Sequence, residues 1–322
     1  MSRMVHPVVK LVAQRLALGL LLLWATSVLI FVGTQILPGD VAQSILGQSA
    51  TPVSLANLRA ELGLNDPPLT RYLNWLFAVL QGDLGRALTN GQDIASAMSG
   101  RLWNTLFLAF WAAVISVPLA ILLGLLAVRY RDRWPDKLIS TVTLASVSVP
   151  EFLLGYIAVY FLSVQFRLLP SLATVYSGMS LGDKLYAISL PVLVLVLVVL
   201  GHMMRMTRAA ILNVMQSAYV ETAELKGLRP FTIIARHAFP NAIAPVVNVV
   251  MLNLAYLVVG VVVVEVVFVY PGMGQYLVDH VAKRDVPVVQ ACGLVFAAVY
   301  IGLNLLADVI SILANPRLRH PK

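Results

Sequence analysis

Glu151, set directly after Pro150 in an otherwise apolar run, is the residue of this chain best placed to meet a solute inside a membrane. A carboxylate about 13 residues, or roughly 20 Å, into a helix starting near Leu138 would lie near the middle of a bilayer. Pro150 lacks a backbone N–H and frees a carbonyl one turn earlier, which kinks a helix and makes room for water or a polar partner. Two readings of Glu151 stay open: a pathway residue for a cationic or amino-bearing solute, or a carboxyl satisfied by a neighbouring helix or simply protonated. Glu265 and Asp308, near the ends of later apolar runs, read as pairing or capping groups. Arg205 and Arg208 follow His202 at helical spacing and read as topology anchors, with a part in an inner gate as the alternative. Met203, Met204 and Met206 read as packing.

A second informative set is polar. Residues 219 to 240 lie between apolar runs of membrane length. Ser217 can cap a helix whose next turn carries Glu221 and Glu224, carboxylates suited to the positive end of the helix dipole. Gly227 supplies the left-handed position that ends such a helix, and Arg229-Pro230 bars its continuation. Ala218, Thr222, Ala223 and Leu225 would then present a small, smooth surface, followed by Lys226, that lets another protein approach closely. Composition alone leaves open a helix lying flat among lipid headgroups.

Other chemistry lacks its motifs. The sequence contains no Gly-Lys-Ser/Thr phosphate loop and no His-Glu-x-x-His zinc motif, so ATP hydrolysis within the chain is excluded on motif grounds. Its 5 histidines are dispersed and its one cysteine, Cys292, allows neither an internal disulfide nor a thiolate cluster, so no metal or other cofactor is expected. Any energy for transport must come from another polypeptide or from an ion gradient. A polytopic membrane enzyme is a third class, for which no catalytic constellation is apparent.

The elements that position these residues are membrane helices. Of 322 residues, 59% are hydrophobic and 12% charged, well below the quarter or so of charged residues usual in soluble domains. Six runs are long enough to span: Leu16 to Ile36, Leu102 to Val128, Leu138 to Phe166, Tyr186 to Met204, Ala242 to Val269 and Val288 to Ala314. Lipid-exposed amides find no water, so these runs must be helical. Most lysines and arginines collect on one side if the N-terminus is inside, which puts both termini in the cytoplasm. The net charge of +8 is explained by that topology and by lipid contact, with no need for a nucleic acid. The first run meets Pro38-Gly39-Asp40 without a small-x-small cleavage site and is expected to stay as an anchor. The long loop that follows should hold one helix between Ser54 and Gly63 and another around Tyr72 to Leu80, packed over the outer mouth of the spans.

Residues 219 to 240 resemble the EAA loop of ABC importer permeases, and the variant with Arg236-His237-Ala238 and Asn241-Ala242 resembles the dipeptide and oligopeptide type. Pro38-Gly39-Asp40, Leu62 to Leu64 with Pro67, Arg71-Tyr72, Gly82 to Gly85, Pro271-Gly272-Met273-Gly274, Arg284 to Gln290 and Asn315-Pro316-Arg317 stand in the order of that family. Val41 replaces a proline usual after Pro-Gly-Asp, a departure confined to that turn. The resemblance implies an all-α, type I importer permease fold of six transmembrane helices. It divides the chain into the N-terminus and first helix (1–36), an external loop (37–101), a membrane core (102–314) containing a cytoplasmic coupling loop (205–241), and a cytoplasmic tail (315–322). It implies that Glu221, Thr222, Ala223, Glu224, Lys226 and Gly227 belong to the ATPase-coupling loop. The implied partners are a second, related permease, two cytoplasmic ATP-binding subunits or domains, and an external substrate-binding protein. The implied solute is a di- or oligopeptide, with nickel chelates, glutathione-like molecules, opines and sugars as alternatives. A proton-coupled carrier using Glu151 or Glu265 is the remaining alternative from another class.

Overall fold

The structure, a computed structural model, describes residues 7–36, 41–61 and 63–314. Pro38-Gly39-Asp40, Leu62 and the Asn315-Pro316-Arg317 block lie outside the described residues, and those that are described form helices and turns with no strand. In chain order the helices are α1 (Pro7–Ile36), α2 (Val41–Leu46), α3 (Pro52–Glu61), α4 (Pro68–Leu80), α5 (Ile94–Arg129), α6 (Trp134–Ser148) and α7 (Glu151–Ala158). They continue with α8 (Leu181–Ala187), α9 (Ser189–Met215), α10 (Ala218–Leu225), α11 (Pro230–Thr232), α12 (Phe239–Val267), α13 (Met273–Ala282) and α14 (Val286–Ala314). Five of the resulting spans (α1, α5, α9, α11 running into α12, and α14) are long and apolar enough to cross a membrane, and the pair α6–α7 makes a sixth if taken together.

That pair departs from the single span expected between Leu138 and Phe166. Its two halves meet at 104°. Val149 is extended (φ −96°, ψ 131°), as a residue before proline tends to be, and Pro150 is extended too (φ −56°, ψ 140°). Two consecutive extended residues end one helix and begin another, which is more than a kink. A wide π-helical turn, Val159–Gln165, then ends the second half.

α9 is the centre of the bundle. About two thirds of its apolar window (67%) is buried, against 11% for α1 at the periphery. Leu190, Leu195, Val199, Met203 and Met204 pack against α5, α6 and α12 in the main core. Gly201 lets α6 come close: a Cβ there would lie 2.5 Å from the Thr143 carbonyl oxygen. Such small-residue approaches replace the hydrophobic drive that is absent between helices in lipid.

Both helices expected in the first long loop are present as α3 and α4. The second lies along α1, where Tyr72 and Trp75 meet Phe31 (ring centroids 5.3 and 6.1 Å) and the Tyr72 hydroxyl lies 2.9 Å from Ser27 Oγ. α5 also starts earlier than its apolar run, at Ile94, because Asp93 caps it by accepting from the Ser96 N–H at 2.8 Å.

Candidate functional site

Three groups of polar residues stand out once the helices are in place: a protruding helix at one end of the bundle, a cavity at the α6–α7 bend, and a buried clamp at the opposite end.

The protruding helix is α10. Ser217 is its N-cap by backbone (φ −83°, ψ 147°), but its hydroxyl donates to the Val214 carbonyl and not to the helix. At the far end Gly227 has φ +72°, the Leu228 N–H donates to the Ala223 carbonyl and the Gly227 N–H to that of Glu224. This pair of bonds is a Schellman motif, and it explains the glycine: a Cβ would meet nothing within 4 Å, so the need is conformational and not spatial. Val220 and Ala223 are buried against Ile233 and Met215, which joins α10 to both α9 and the π-helical turn Ile233–Ala238 leading into α12.

That packing corrects the expected surface at one residue, Ala223, while Ala218, Thr222 and Leu225 are exposed as expected. Ala223 is small because Ile233 sits on it, not because it faces a partner. The outward face carries Glu221, Thr222, Glu224 and Lys226 around exposed apolar groups, with Leu225 at 83% and Phe231 at 67% exposure. Phe231, beyond the helix, is a part of this face that sequence reasoning missed.

The cavity has a volume of about 580 Å³ and lies where α6, α7, α9 and α12 meet. Pro150 and Glu151 line it, as do His202 and the α12 residues Asn253 and Tyr256. The Tyr256 hydroxyl donates to Glu151 Oε1 at 2.8 Å. Pro150 and Glu151 therefore border an open space and are not packed shut.

The clamp at the other end surrounds Glu265, which is fully buried. Its carboxylate accepts from Thr105 Oγ1 (2.6 Å) and from the N–H groups of Gly274 (2.7 Å) and Gln275 (3.1 Å), so it caps the first turn of α13. The Pro271-Gly272-Met273-Gly274 string follows from this: a Cβ on Gly272 would stand 2.1 Å from Glu265 Oε1 and one on Gly274 2.6 Å from the Val262 Cα. Tyr270 donates to the Asn104 carbonyl at 2.8 Å, and burial, reinforced by Glu265, pushes its phenol well above the ordinary value, so it remains a donor. Nearby, Asp285 accepts from the Leu88 and Thr89 N–H groups (3.1 and 3.0 Å) and from the Thr89 hydroxyl (2.9 Å), tying the loop before α5 to the start of α14. Glu265 thus takes the capping alternative of the pairing or capping role read from sequence; Asp285 stood there only as part of the Arg284 to Gln290 block, with no role.

Among the described residues, two ion pairs join helices at the α10 end. Arg15 meets Asp308 at 3.1 Å, joining α1 to α14. Arg208 grips Asp136 with two bonds (Nε to Oδ1 2.9 Å, Nη2 to Oδ2 2.7 Å), joining α9 to α6. Arg208 is therefore a helix clamp and not a free anchor, a pairing across 72 positions that spacing could not disclose. The string Gly178-Met179-Ser180-Leu181-Gly182 has the Gly-x-Ser-x-Gly spacing of a hydrolase elbow, which motif reading overlooked. Ser180 instead caps α8, accepting from the Asp183 N–H at 3.2 Å, and its hydroxyl donates to the Asp183 carboxylate at 2.6 Å.

Comparison with known proteins agrees with this architecture. Residues 116–320 match the family described as "Binding-protein-dependent transport system inner membrane component", and residues 8–108 match the N-terminal component of the same systems. A protein of Brucella abortus (strain 2308) named as a peptide transport system permease is 35% identical over 310 residues, covering 96% of this chain and 99% of its own. The glutathione transport system permease protein GsiC of Escherichia coli (strain K12) is 34% identical over 298 residues, covering 92% and 95%. In fold, an inward-facing structure of the MetNI methionine ABC transporter aligns with a TM-score of 0.51 at 18% identity, covering 68% of this chain and 96% of that one. ATP hydrolysis in such importers belongs to separate subunits, which removes the proton-driven carrier and the membrane enzyme as readings. The chain belongs to the inner-membrane permease family of binding-protein-dependent ABC importers, as a multi-pass protein of the cytoplasmic membrane.

Proposed function

We propose that this permease carries di- or oligopeptides, or small peptide-like solutes such as glutathione, and that it does so as one half of a pair with a second, related permease. The names of its relatives support the solute class. Two ATP-binding subunits dock at the α10 end, the external binding protein delivers solute at the α13 end, and residues 1–6 and 315–322 lie in the cytoplasm. Glu221, Thr222, Ala223, Glu224, Lys226 and Gly227 form the coupling element within residues 205–241, and Pro150 and Glu151 border the solute pathway. No cofactor is assigned to the chain itself.

The observation carrying this reading is the combination of an exposed apolar tip, Leu225 and Phe231, with a rigid root. Val220 and Ala223 lock α10 onto Ile233, so a push on the tip is passed to α9 and α12 together. α9 and α12 also wall the cavity beside Glu151, and nucleotide-driven closure would thereby alter the pathway. Uptake of a labelled dipeptide into proteoliposomes holding both permeases and the ATP-binding subunits, with the binding protein outside, tests the assignment. Uptake dependent on both ATP and the binding protein is expected; accumulation by this chain alone under an imposed proton gradient would overturn it.

A further inference from the structure

We propose that the cavity at the α6–α7 bend is a transient binding site for a primary ammonium group, the free amino end of the solute, with Glu151 as its anion. The inference rests on the permease reading above and assigns the site a chemical preference.

The balance of donors and acceptors around the cavity sets this preference. The polar residues from α6 and α12 on the cavity wall have already spent most of their hydrogens within the protein. The Ser146 hydroxyl donates to the Thr143 carbonyl at 2.9 Å and that of Ser148 to the Leu144 carbonyl at 2.8 Å. The Asn253 amide donates to the Val249 carbonyl at 2.8 Å, and the Tyr256 hydroxyl donates to Glu151. What these groups leave for an occupant is mainly oxygen lone pairs: both serine Oγ atoms, Asn253 Oδ1, Tyr256 Oη and the second oxygen of Glu151, beside one remaining N–H of Asn253. No lysine or arginine lines the space, and Glu151 has no ion pair among the described residues.

The backbone adds to this. Pro150 has no N–H to offer the last turn of α6, whose carbonyls end at the cavity and carry the negative end of the helix dipole. Glu151 is the first residue of α7, so its negative charge stands near the positive end of that helix and offsets it. A wall of acceptors around an uncompensated carboxylate fits a group that only donates and is positively charged, and an ammonium with three N–H bonds is such a group. A carboxylate or neutral carbonyl would find two side-chain donors, on His202 and the second N–H of Asn253, and otherwise meet lone pairs, with the Glu151 carboxylate repelling an anion. The remaining wall is apolar, from Val147, Val198, Val199 and Leu252, and can pass side chains of many shapes. The site thus reads charge at one end of the solute and is indifferent to the rest, as a path for varied peptides requires.

The test uses the purified importer complex in nanodiscs without binding protein, carrying Val198→Cys as a reporter on the cavity wall; the native Cys292 is buried. Alanine amide, which is cationic, should slow maleimide labelling of the reporter. N-acetylalanine amide (neutral) and N-acetylalanine (anionic) should not. Glu151→Gln should weaken the protection by at least about tenfold, the scale of one charge-assisted hydrogen bond, while Glu151→Asp keeps most of it. Equal protection by the acetylated compounds, or protection unchanged by Glu151→Gln in a complex that still assembles, would overturn the proposal. Co-purification of the ATP-binding subunits with the same unsubstituted complex reports on the permease reading separately, so the two failures are distinguishable.

Discussion

Glu265 shows how one residue can determine several others. A buried carboxylate is tolerated only with its lone pairs filled, and here the donors come from Thr105 and the start of α13. The room for it is made by Gly272 and Gly274. Gly272→Ala should therefore expel the carboxylate and lower the stability of the purified protein by about 2–4 kcal/mol. Gly100→Ala, a helical glycine whose added methyl meets nothing within 4 Å, should be neutral or stabilising by up to about 1 kcal/mol. Thermal unfolding in detergent compares the two, and equal losses would refute the steric account. The order Pro-Gly-Met-Gly and the capping role of Glu265 were legible in the sequence. Their connection was not, because it depends on a close approach between segments that no spacing rule relates. The same holds for Asp136 and Arg208: each is identifiable as a charge, but the bidentate pair forms only once α6 lies across α9. Arg208→Lys keeps the charge, loses the planar fork, and should cost about 1–3 kcal/mol in the same unfolding measurement.

At the scale of elements, α10 was visible in outline, with one residue of its expected outward face, Ala223, turned inward. Its start at Ser217, its end at Gly227 and its length followed from capping residues and proline. The inward turn of Ala223 did not follow, because a small residue suits close approach by the chain's own Ile233 as well as by a partner. Two separate effects are expected. Gly227→Val should strain the left-handed turn by about 1–2 kcal/mol and misdirect the chain toward α11. Ala223→Leu should push α10 off Ile233 and lower transport while leaving the exposed tip chemically intact. Cross-linking between cysteines placed on α10 and on the π-helical turn would detect that displacement; an unchanged cross-linking rate would contradict it. The α6–α7 bend has a similar history. Pro150 announces a break, but its angle of 104° needs Val149 extended as well, and that depends on how α7 packs beside α12.

For the whole molecule, the long apolar runs carried most of the fold, since lipid leaves the backbone little choice but helix. The termini of the runs were less legible: α9 reaches Met215, well past the apolar run that ends at Met204, because its last turns pack within the protein beside Ile234, Ala238 and Ala242. Sidedness is a separate matter, argued from lysine and arginine placement. Ser49→Cys should react with an impermeant thiol reagent in sealed cells and Gln216→Cys should not, with the buried Cys292 silent in both. The reverse pattern would invert the topology and remove α10 from the ATP-binding side.

The central claim is that force enters through the exposed tip of α10, and its most direct test is the paired substitution Leu225→Arg and Phe231→Arg. Both side chains point away from the protein, so insertion and pairing with the second permease should persist. In the reconstituted complex the account predicts loss of bound ATP-binding subunits, about thirtyfold in affinity for the pair if each apolar anchor contributes about 1 kcal/mol, together with loss of ATP hydrolysis stimulated by the binding protein. Full stoichiometry of the ATP-binding subunits with undiminished stimulated hydrolysis would contradict it.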